Sequence, residues 1–208
     1  MNLRQKLSGV LALLLVSAGA QATQIQAGYT VVANETDPGL VIENMDIASN
    51  PFTFDLDPGD SVTFNLFKIW TNEGTVNGDD ANPMGIAVNF DFILPEVGAS
   101  TVSGDTVGNS VLFGVYQEGV LTWNGPADFF YGPFGDGQIQ ISLSDETFNE
   151  GFFGLNEGKR NGARVAATLS LIADATVAAP GTIAMFALAL VGLGFAARRR
   201  RSGFDSTI

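Results

Sequence analysis

The chain has 208 residues and contains neither cysteine nor histidine. This composition excludes disulfide bonds, thiol nucleophiles, metal sites built from Cys or His, and catalytic triads with an imidazole base. Acidic residues outnumber basic ones 22 to 10, for a formal charge of −12, so nucleic acid is not an expected partner. The length predicts one globular domain between processing segments.

The N-terminus has the three parts of a secretory signal peptide. Two basic residues precede an apolar run of 14 residues, Leu7–Ala20, and small residues follow it. Cleavage after Ala20 or Ala22 fits the A-x-A pattern of such signals. The run is short for a membrane span and has no polar face, so a packed core helix is the less favoured alternative. We expect residues 1–22 to engage the secretion machinery and the mature chain to be exported.

The body, residues 23–173, has no long stretch of helical periodicity, and short strand patterns alternate there with turn signals. The clearest alternation of apolar and polar residues runs over Ile86–Phe92, and Ala163–Ile172 shows a similar pattern. Two further patterns, Phe52–Leu56 and Val62–Leu66, flank the turn sequence Asp-Pro-Gly-Asp. This pair predicts a hairpin.

Other strand patterns are shorter. Tyr29–Ala33, Leu40–Glu43 and Ile139–Leu143 each predict a strand. Val111–Val115 predicts another, followed by a turn at Gln117–Gly119 and a returning strand.

The number and spacing of the strands predict the fold class. Apolar side chains occupy both faces of residues 66–70, which indicates a central strand or a bulge. Eight to eleven short strands fit an all-β fold, an antiparallel β-sandwich of jelly-roll or immunoglobulin-like type. A closed barrel is the alternative.

Asp55, Asp57 and Asp60 surround the predicted turn and form the first candidate Ca²⁺ site. Ca²⁺ binds roughly six to eight oxygen ligands, which carboxylates supply. The spacing differs from that of an EF-hand loop, and Asp-Pro-Gly-Asp is also a common turn sequence. We therefore favour a plain turn at this position.

Glu73, Asp79 and Asp80 form the second candidate Ca²⁺ site, in a polar loop over residues 71–83. Three asparagines in this loop add carbonyl oxygens, and loops at the ends of a sandwich frequently carry binding sites. Ca²⁺ is therefore the one cofactor that the sequence suggests. We favour the alternative, which is that the carboxylates only keep the domain soluble and that no cofactor is bound.

Residues 124–137 are rich in Gly, Pro and aromatic residues and predict a loop. If they are exposed, Phe130 and Tyr131 can stack on the sugar rings of an exopolysaccharide. The alternative, which we favour, is that these side chains close the open end of the sandwich. Trp70 and Trp123 lie singly within strand patterns and are expected in the core.

The C-terminus predicts a membrane segment. Residues 174–181 form a linker with the motif residues Val177, Pro180 and Gly181, and the proline marks an exposed break before a helix. Residues 182–197 are apolar and uncharged, and they predict a transmembrane helix of marginal length. The cytoplasmic tail, residues 198–208, begins with the basic residues Arg198, Arg199, Arg200 and Arg201.

The order of a Pro-containing motif, a Gly/Ala/Leu-rich helix and an Arg cluster resembles the PEP-CTERM sorting signal of exosortase substrates. Val177 and Pro180 match the usual Val-Pro-Glu-Pro motif, and the two residues between them do not. The resemblance covers the segment from Val177 onward. It implies export, retention at the inner membrane, cleavage near the motif by an exosortase-like protease, and a role in the biofilm matrix. A plain membrane anchor is the alternative.

Removal of both ends would make the body strongly acidic. Without the six basic residues at the ends and Asp205, four basic and 21 acidic residues remain, a formal charge of about −17. Such a surface repels anionic lipid and attracts cations. No catalytic arrangement is recognisable, so we expect no enzyme. We predict a surface-sorted structural or adhesive protein of the extracellular matrix; the alternative is a Ca²⁺-dependent carbohydrate-binding module for exopolysaccharide.

Overall fold

The computed structural model of the chain describes residues 22–176, which include Ala22 of the predicted cleavage site. The other predictions for the two ends lie outside these residues. They are the signal peptide with Ala20, the motif residues Val177, Pro180 and Gly181, the transmembrane helix over residues 182–197, and the tail with Arg198, Arg199, Arg200 and Arg201.

The described residues form eleven strands and one short 3-10 helix, Lys159–Asn161. The strands are β1 (Thr23–Val32), β2 (Glu43–Asp46), β3 (Phe52–Leu56), β4 (Ser61–Trp70), β5 (Met84–Leu94), β6 (Gly98–Val111), β7 (Tyr116–Trp123), β8 (Ala127–Tyr131), β9 (Gly137–Leu143), β10 (Glu146–Phe152) and β11 (Ala163–Ala173). The predicted all-β class is confirmed. β2 begins only where the predicted strand Leu40–Glu43 ends.

The strands pair in two antiparallel sheets. One sheet has six strands in the order β10-β7-β6-β5-β1-β3, and the other has five in the order β2-β4-β11-β9-β8. β5, β6 and β7 are consecutive and pair as a meander, whereas β1 pairs with β5 and β4 with β11. Most pairs therefore join segments that are distant in the sequence.

One apolar core draws side chains from both sheets. Fully buried side chains include Ile25, Val88 and Phe90 from the six-stranded sheet and Phe67, Ile141 and Leu169 from the other. Each contributes about 1.5–3 kcal/mol by leaving water. The alternation predicted for β5, β9 and β11 is confirmed, because the apolar positions are buried and the polar ones between them are more exposed. Trp70 and Trp123 are buried, as predicted.

The predicted hairpin of β3 and β4 is wrong, although its turn is present. The N–H of Asp60 donates to the carbonyl of Asp57 at 2.9 Å, but β3 pairs with β1 and β4 pairs with β2 and β11. The chain therefore crosses from one sheet to the other at this turn. The rings of Phe54 and Phe64 have centroids 4.8 Å apart. Crossing between the sheets lets the two strands pack ring against ring instead of pairing edge to edge.

β4 is a central strand with a bulge, as its apolar residues on both faces predict. Leu66 and Phe67 are consecutive and both fully buried, and the register with β11 shifts at this point. The carbonyl of Leu66 accepts the hydroxyl of Tyr29 at 2.8 Å and the N–H groups of Ile47 and Ala48. The backbone oxygen that the bulge releases from the ladder is therefore satisfied.

β6 is the longest strand of the described fold, and the sequence pattern does not predict it. Its inward positions carry the small residues Val102, Gly104, Thr106 and Gly108, which are all buried. A Cβ atom at Gly104 would lie 2.4 Å from the carbonyl oxygen of Thr122 on β7. Small residues thus allow close packing here, and the same residue types resemble turn signals in a sequence.

The predicted strand over Val111–Val115 and the predicted turn at Gln117–Gly119 are wrong. The turn occupies residues 112–115, and Gln117–Gly119 belongs to β7. Leu112 and Phe113 have φ angles of 52° and 58°, in the left-handed region. The alternation of apolar residues is therefore not accompanied by an extended backbone.

Gly104→Ala is expected to destabilise the full chain by about 2 kcal/mol, because the new methyl group overlaps a backbone oxygen that cannot turn aside. Gly85→Ala on β5 is the matched control, since a Cβ atom there meets nothing within 4 Å. Urea denaturation followed by Trp fluorescence gives both free energies of unfolding. Equal effects of the two substitutions would contradict this account of β6.

Candidate functional site

The loop with the second predicted Ca²⁺ site, residues 71–83, connects β4 to β5 and packs on β6, on β7 and on the segment after β10. Three of its hydrogen bonds attach it to these elements. They are Gly108 N–H to the carbonyl of Asp80 (2.8 Å), Val76 N–H to Oε1 of Gln117 (2.7 Å) and Leu155 N–H to the carbonyl of Gly74 (2.9 Å). The loop is therefore attached to the side of the six-stranded sheet where β10, β7 and β6 lie.

Asp80 is completely buried, with 0 % of its surface exposed. Its Oδ2 accepts the N–H of Asn77 at 2.7 Å, and Oδ1 of Asn77 accepts the N–H of Asp79 at 2.9 Å. Such side-chain bonds to nearby backbone groups stabilise a tight turn. A Cβ atom at Gly108 would lie 3.0 Å from the Cβ of Asp80, so the glycine of β6 leaves room for the buried carboxylate.

Glu73 lies close to Asp80. Its Oε1 accepts the N–H of Val41 at 3.0 Å, and its own N–H donates to Oγ1 of Thr71 at 3.1 Å. Burial raises the pKa of the Glu73 carboxyl, and Asp80 raises it further by its charge and by a hydrogen bond to the protonated form. Asp80 is buried and Glu73 is half-buried, but Oε2 of Glu73 and Oδ1 of Asp80 are both buried and, when both carboxyls are ionised, have no hydrogen-bond partner. We call these two residues, with one buried and unsatisfied oxygen each, the buried carboxylate pair.

Asp79, the third predicted ligand, has a different role. Its Oδ2 accepts the N–H of Gly39 at 3.0 Å, and Gly39 has a left-handed φ of 93°. Within residues 22–176 no three acidic side chains converge as they would in a metal site. The predicted set is therefore a pair, Glu73 and Asp80, while Asp79 attaches the segment before β2 to the loop.

The first predicted cluster is spread around the turn between β3 and β4. Asp55, Asp57 and Asp60 are all exposed. Oδ1 of Asp55 accepts Nε2 of Gln24 at 3.3 Å, and the carbonyl of Asp57 closes the turn. This geometry favours the plain turn over a cation site.

Phe130 and Tyr131, the residues predicted to stack on sugars, lie on β8 and not in a loop. The Tyr131 ring is only 4 % exposed, and its hydroxyl donates to Oδ1 of Asp174 at 2.9 Å. Burial, and then the Asp174 carboxylate, raise the pKa of Tyr131 above its usual range. Stacking of Tyr131 on a sugar is therefore wrong. Phe129 is also buried, and its ring stacks on that of Phe92 with centroids 4.1 Å apart. Phe130 is 59 % exposed, and its stacking on a sugar stays a prediction.

An exposed apolar cluster lies at the end of β7 and β10, and we call it the aromatic tip. Its members are Leu112, Phe113, Tyr116, Phe152 and Phe153. Phe113 is fully exposed, and Phe152 and Phe153 are 74 % and 82 % exposed. Phe152 is paired with Tyr116 across the strands, with ring centroids 5.7 Å apart. The N–H of Phe153 donates to the carbonyl of Val115 at 2.7 Å, which attaches it to the β6–β7 turn.

Polar groups border the aromatic tip. Nδ2 of Asn109 donates to Oε1 of Glu118 at 2.9 Å. Desolvation, and then the hydrogen bonds and negative charges of Glu118 and Glu150, raise the pKa of Tyr116 to about 12. The Tyr116 hydroxyl is therefore protonated at neutral pH. The tip combines exposed rings with carboxylate and amide groups.

The backbone of the aromatic tip is strained. Leu112, Phe113 and Phe153 have φ angles of 52°, 58° and 60°, a region that bulky residues rarely adopt. Such strain occurs most often at functional sites. Sequence reasoning missed this cluster because Phe113 lies in the pattern Val111–Val115, which predicts a strand. The flanking glycines, Gly114 and Gly154, were the available signal for turns.

Asn149 is a second residue that sequence reasoning missed. It is fully buried, and its φ of 54° is left-handed. Its Oδ1 accepts the N–H of Thr71 at 3.0 Å, and its Nδ2 donates to the carbonyls of Asn156 and Gly158. One amide side chain therefore links β10 to the start of the 71–83 loop and to the segment before the 3-10 helix.

Comparison with protein-family models, with curated proteins and with solved structures finds no match to the chain. Within residues 22–176, no helix is long and apolar enough to cross a membrane. Three features of the chain bear on its function: the predicted segments at the two ends, the aromatic tip and the buried carboxylate pair.

Asn149→Ala is expected to lower the free energy of unfolding by about 3 kcal/mol, because it leaves a buried N–H and two carbonyls without their partner. Asn161→Ala is the control, since Asn161 is exposed and makes one bond to the carbonyl of Glu157 at 3.3 Å. It should change stability by less than about 0.5 kcal/mol. Urea denaturation of the full chain measures both. A small effect at Asn149 would mean that the loop is held by its other bonds.

Proposed function

We propose that this chain is an exported protein that is tethered at the inner membrane, sorted by an exosortase-like protease and delivered to the cell surface or extracellular matrix, where it acts as a structural or adhesive component. The segments at the two ends supply the export and sorting parts of this proposal. The eleven described strands lie between Thr23 and Ala173. Cuts after Ala20 or Ala22 and near Pro180 would therefore leave every described strand intact.

We also propose that the two sheets pack face to face as a β-sandwich. The shared core and the contact between Phe54 on β3 and Phe64 on β4 support this arrangement, because these strands belong to different sheets. A sandwich leaves loops and turns at its ends, where binding residues are commonly found. The aromatic tip lies at such a turn.

The observation that carries the adhesive role is the exposure of the aromatic tip. Phe113, Phe152 and Phe153 expose most of their surface, on a body whose formal charge would be about −17 after both cuts. Apolar side chains grouped on a polar surface mark contact sites, and aromatic rings contribute large contact areas at little entropic cost. Adhesion through this turn is therefore the activity that we infer for the body.

The sorting proposal predicts the intact mass of the protein in each fraction of its native host. We expect a form that starts near Gln21 or Thr23 and ends near Pro180, recovered outside the membrane. A form that retains Arg198 to Arg201 and stays in the inner membrane would make the protein a plain membrane-anchored one. The matrix role would then lose its main support.

A Ca²⁺-dependent carbohydrate-binding module is the second candidate function, and the composition of the aromatic tip favours it. Aromatic faces can stack on the C–H faces of sugar rings, and Glu118, Glu150 and Asn109 are suited to accept or donate hydrogen bonds to hydroxyls. The carbohydrate would be the neutral or cationic exopolysaccharide of the matrix, because the acidic body repels polyanions.

A glycan array tests this candidate with three variants of the full chain. Phe113→Ser and Phe152→Ser should each weaken binding about 5- to 30-fold, since each removes a ring worth about 1–2 kcal/mol of contact. Phe130→Ser tests the competing site, because Phe130 is the exposed ring on β8 that the sequence predicts to stack on sugars. Loss of binding in Phe130→Ser alone would move the site to β8, and absence of glycan binding in the parent chain would leave the adhesive role without a carbohydrate.

A further inference from the structure

In the buried carboxylate pair of Glu73 and Asp80, two negative charges lie close together with no positive group beside them among the described residues. Each carboxylate uses one oxygen to accept a backbone N–H, and the other oxygen is buried without a partner. A buried carboxylate oxygen without a hydrogen-bond donor is costly, and two such groups side by side also repel each other. Something that carries positive charge would remove both penalties.

We propose that Oε2 of Glu73 and Oδ1 of Asp80 are ligands of one Ca²⁺ ion, which holds the 71–83 loop against the strands that carry the aromatic tip. Hard oxygen ligands are those that Ca²⁺ prefers, and its coordination tolerates the irregular geometry of a loop. Mg²⁺ demands a regular octahedron and releases its water reluctantly, so it fits less well. Carboxylates supply two of the ligands, and the remaining ones are carbonyl oxygens or water.

The position of the pair gives the ion a structural consequence. The carbonyl of Asp80 accepts the N–H of Gly108 on β6. The same loop also accepts the N–H of Leu155 and donates an N–H to the side chain of Gln117, the neighbour of Tyr116. Phe153 lies two residues before Leu155. A loop made rigid by Ca²⁺ would therefore stabilise both sides of the aromatic tip.

This inference deepens the second candidate function, and it rests on that candidate only for its link to binding. The Ca²⁺ site itself follows from the two unsatisfied oxygens. Occupancy can therefore be measured without any glycan, and the two ideas can fail separately.

The test measures the melting temperature and the heat of Ca²⁺ binding for the full chain, purified in a mild detergent and stripped with EDTA. With Ca²⁺ at about ten times its dissociation constant, the melting temperature should rise by about 3–6 °C, and calorimetry should give one ion per chain. Mg²⁺ at the same concentration should give a smaller shift.

Glu73→Gln is the informative variant. The amide keeps an oxygen to accept the Val41 N–H and brings an N–H donor next to Oδ1 of Asp80. This variant should melt at a higher temperature than the parent in EDTA, and it should lose the response to Ca²⁺. Asp57→Asn, in the exposed turn between β3 and β4, is the matched control and should keep the full response.

Several results would overturn the proposal. If Ca²⁺ does not change the melting temperature of the parent chain while Glu73→Gln still melts at a higher temperature than the parent, the two carboxyls share a proton and do not bind a cation. A response that survives in Glu73→Gln, or that disappears in Asp57→Asn, would place the ion elsewhere. If Ca²⁺ binds as expected but the glycan array is blank, the ion site stands and the carbohydrate candidate falls.

Discussion

The burial of one apolar core, to which both sheets contribute side chains, is the constraint on which the described structure depends. The chain has no cysteine, so no disulfide limits the unfolded state, and the apolar core carries the stability. Phe67 and Leu169 from the five-stranded sheet and Phe90 from the six-stranded sheet are fully buried in that core. Because most strand pairs join distant segments, the core forms only when the whole body has assembled.

The sequence pattern predicts strands well where large side chains mark the inner face. β5, β9 and β11 alternate bulky apolar residues with polar ones, and their inner faces are buried. The pattern does not predict β6, because its inner face carries Gly104 and Gly108 in place of bulky side chains. These glycines are needed because neighbouring groups occupy the space that a Cβ atom would take. The partner of a strand is harder still to predict. The turn of β3 and β4 is local and is predicted, whereas the choice between a hairpin and a crossing depends on a core that the local sequence does not describe.

For the candidate sites too, the sequence identifies some of the residues, whereas their burial and contacts are determined by the fold. The sequence identifies Glu73 and Asp80 as acids in a polar loop, but their burial follows from the packing of that loop on β6 and β7. The sequence predicts Tyr131 in a loop because the surrounding segment is rich in Gly and Pro. The alternation of Phe129 and Tyr131, which are both buried, is instead that of a strand. Asn149 has no sequence signal, since its importance comes from three hydrogen bonds that no local pattern describes. One joins it to Thr71, 78 residues earlier, and two join it to Asn156 and Gly158, 7 and 9 residues later.

The arrangement of the 71–83 loop explains why two costly features occur together. The aromatic tip exposes apolar rings on a strained backbone, and the loop beside it buries two carboxylates. Each feature alone lowers stability, so each requires support from its surroundings. The loop supplies that support through Gly108, Gln117 and Leu155, and Asn149 attaches its beginning. A cation bound by the two carboxylates would remove their repulsion and would join the loop to the same strands. The rigidity of the exposed turn would then depend on the cation concentration around the protein.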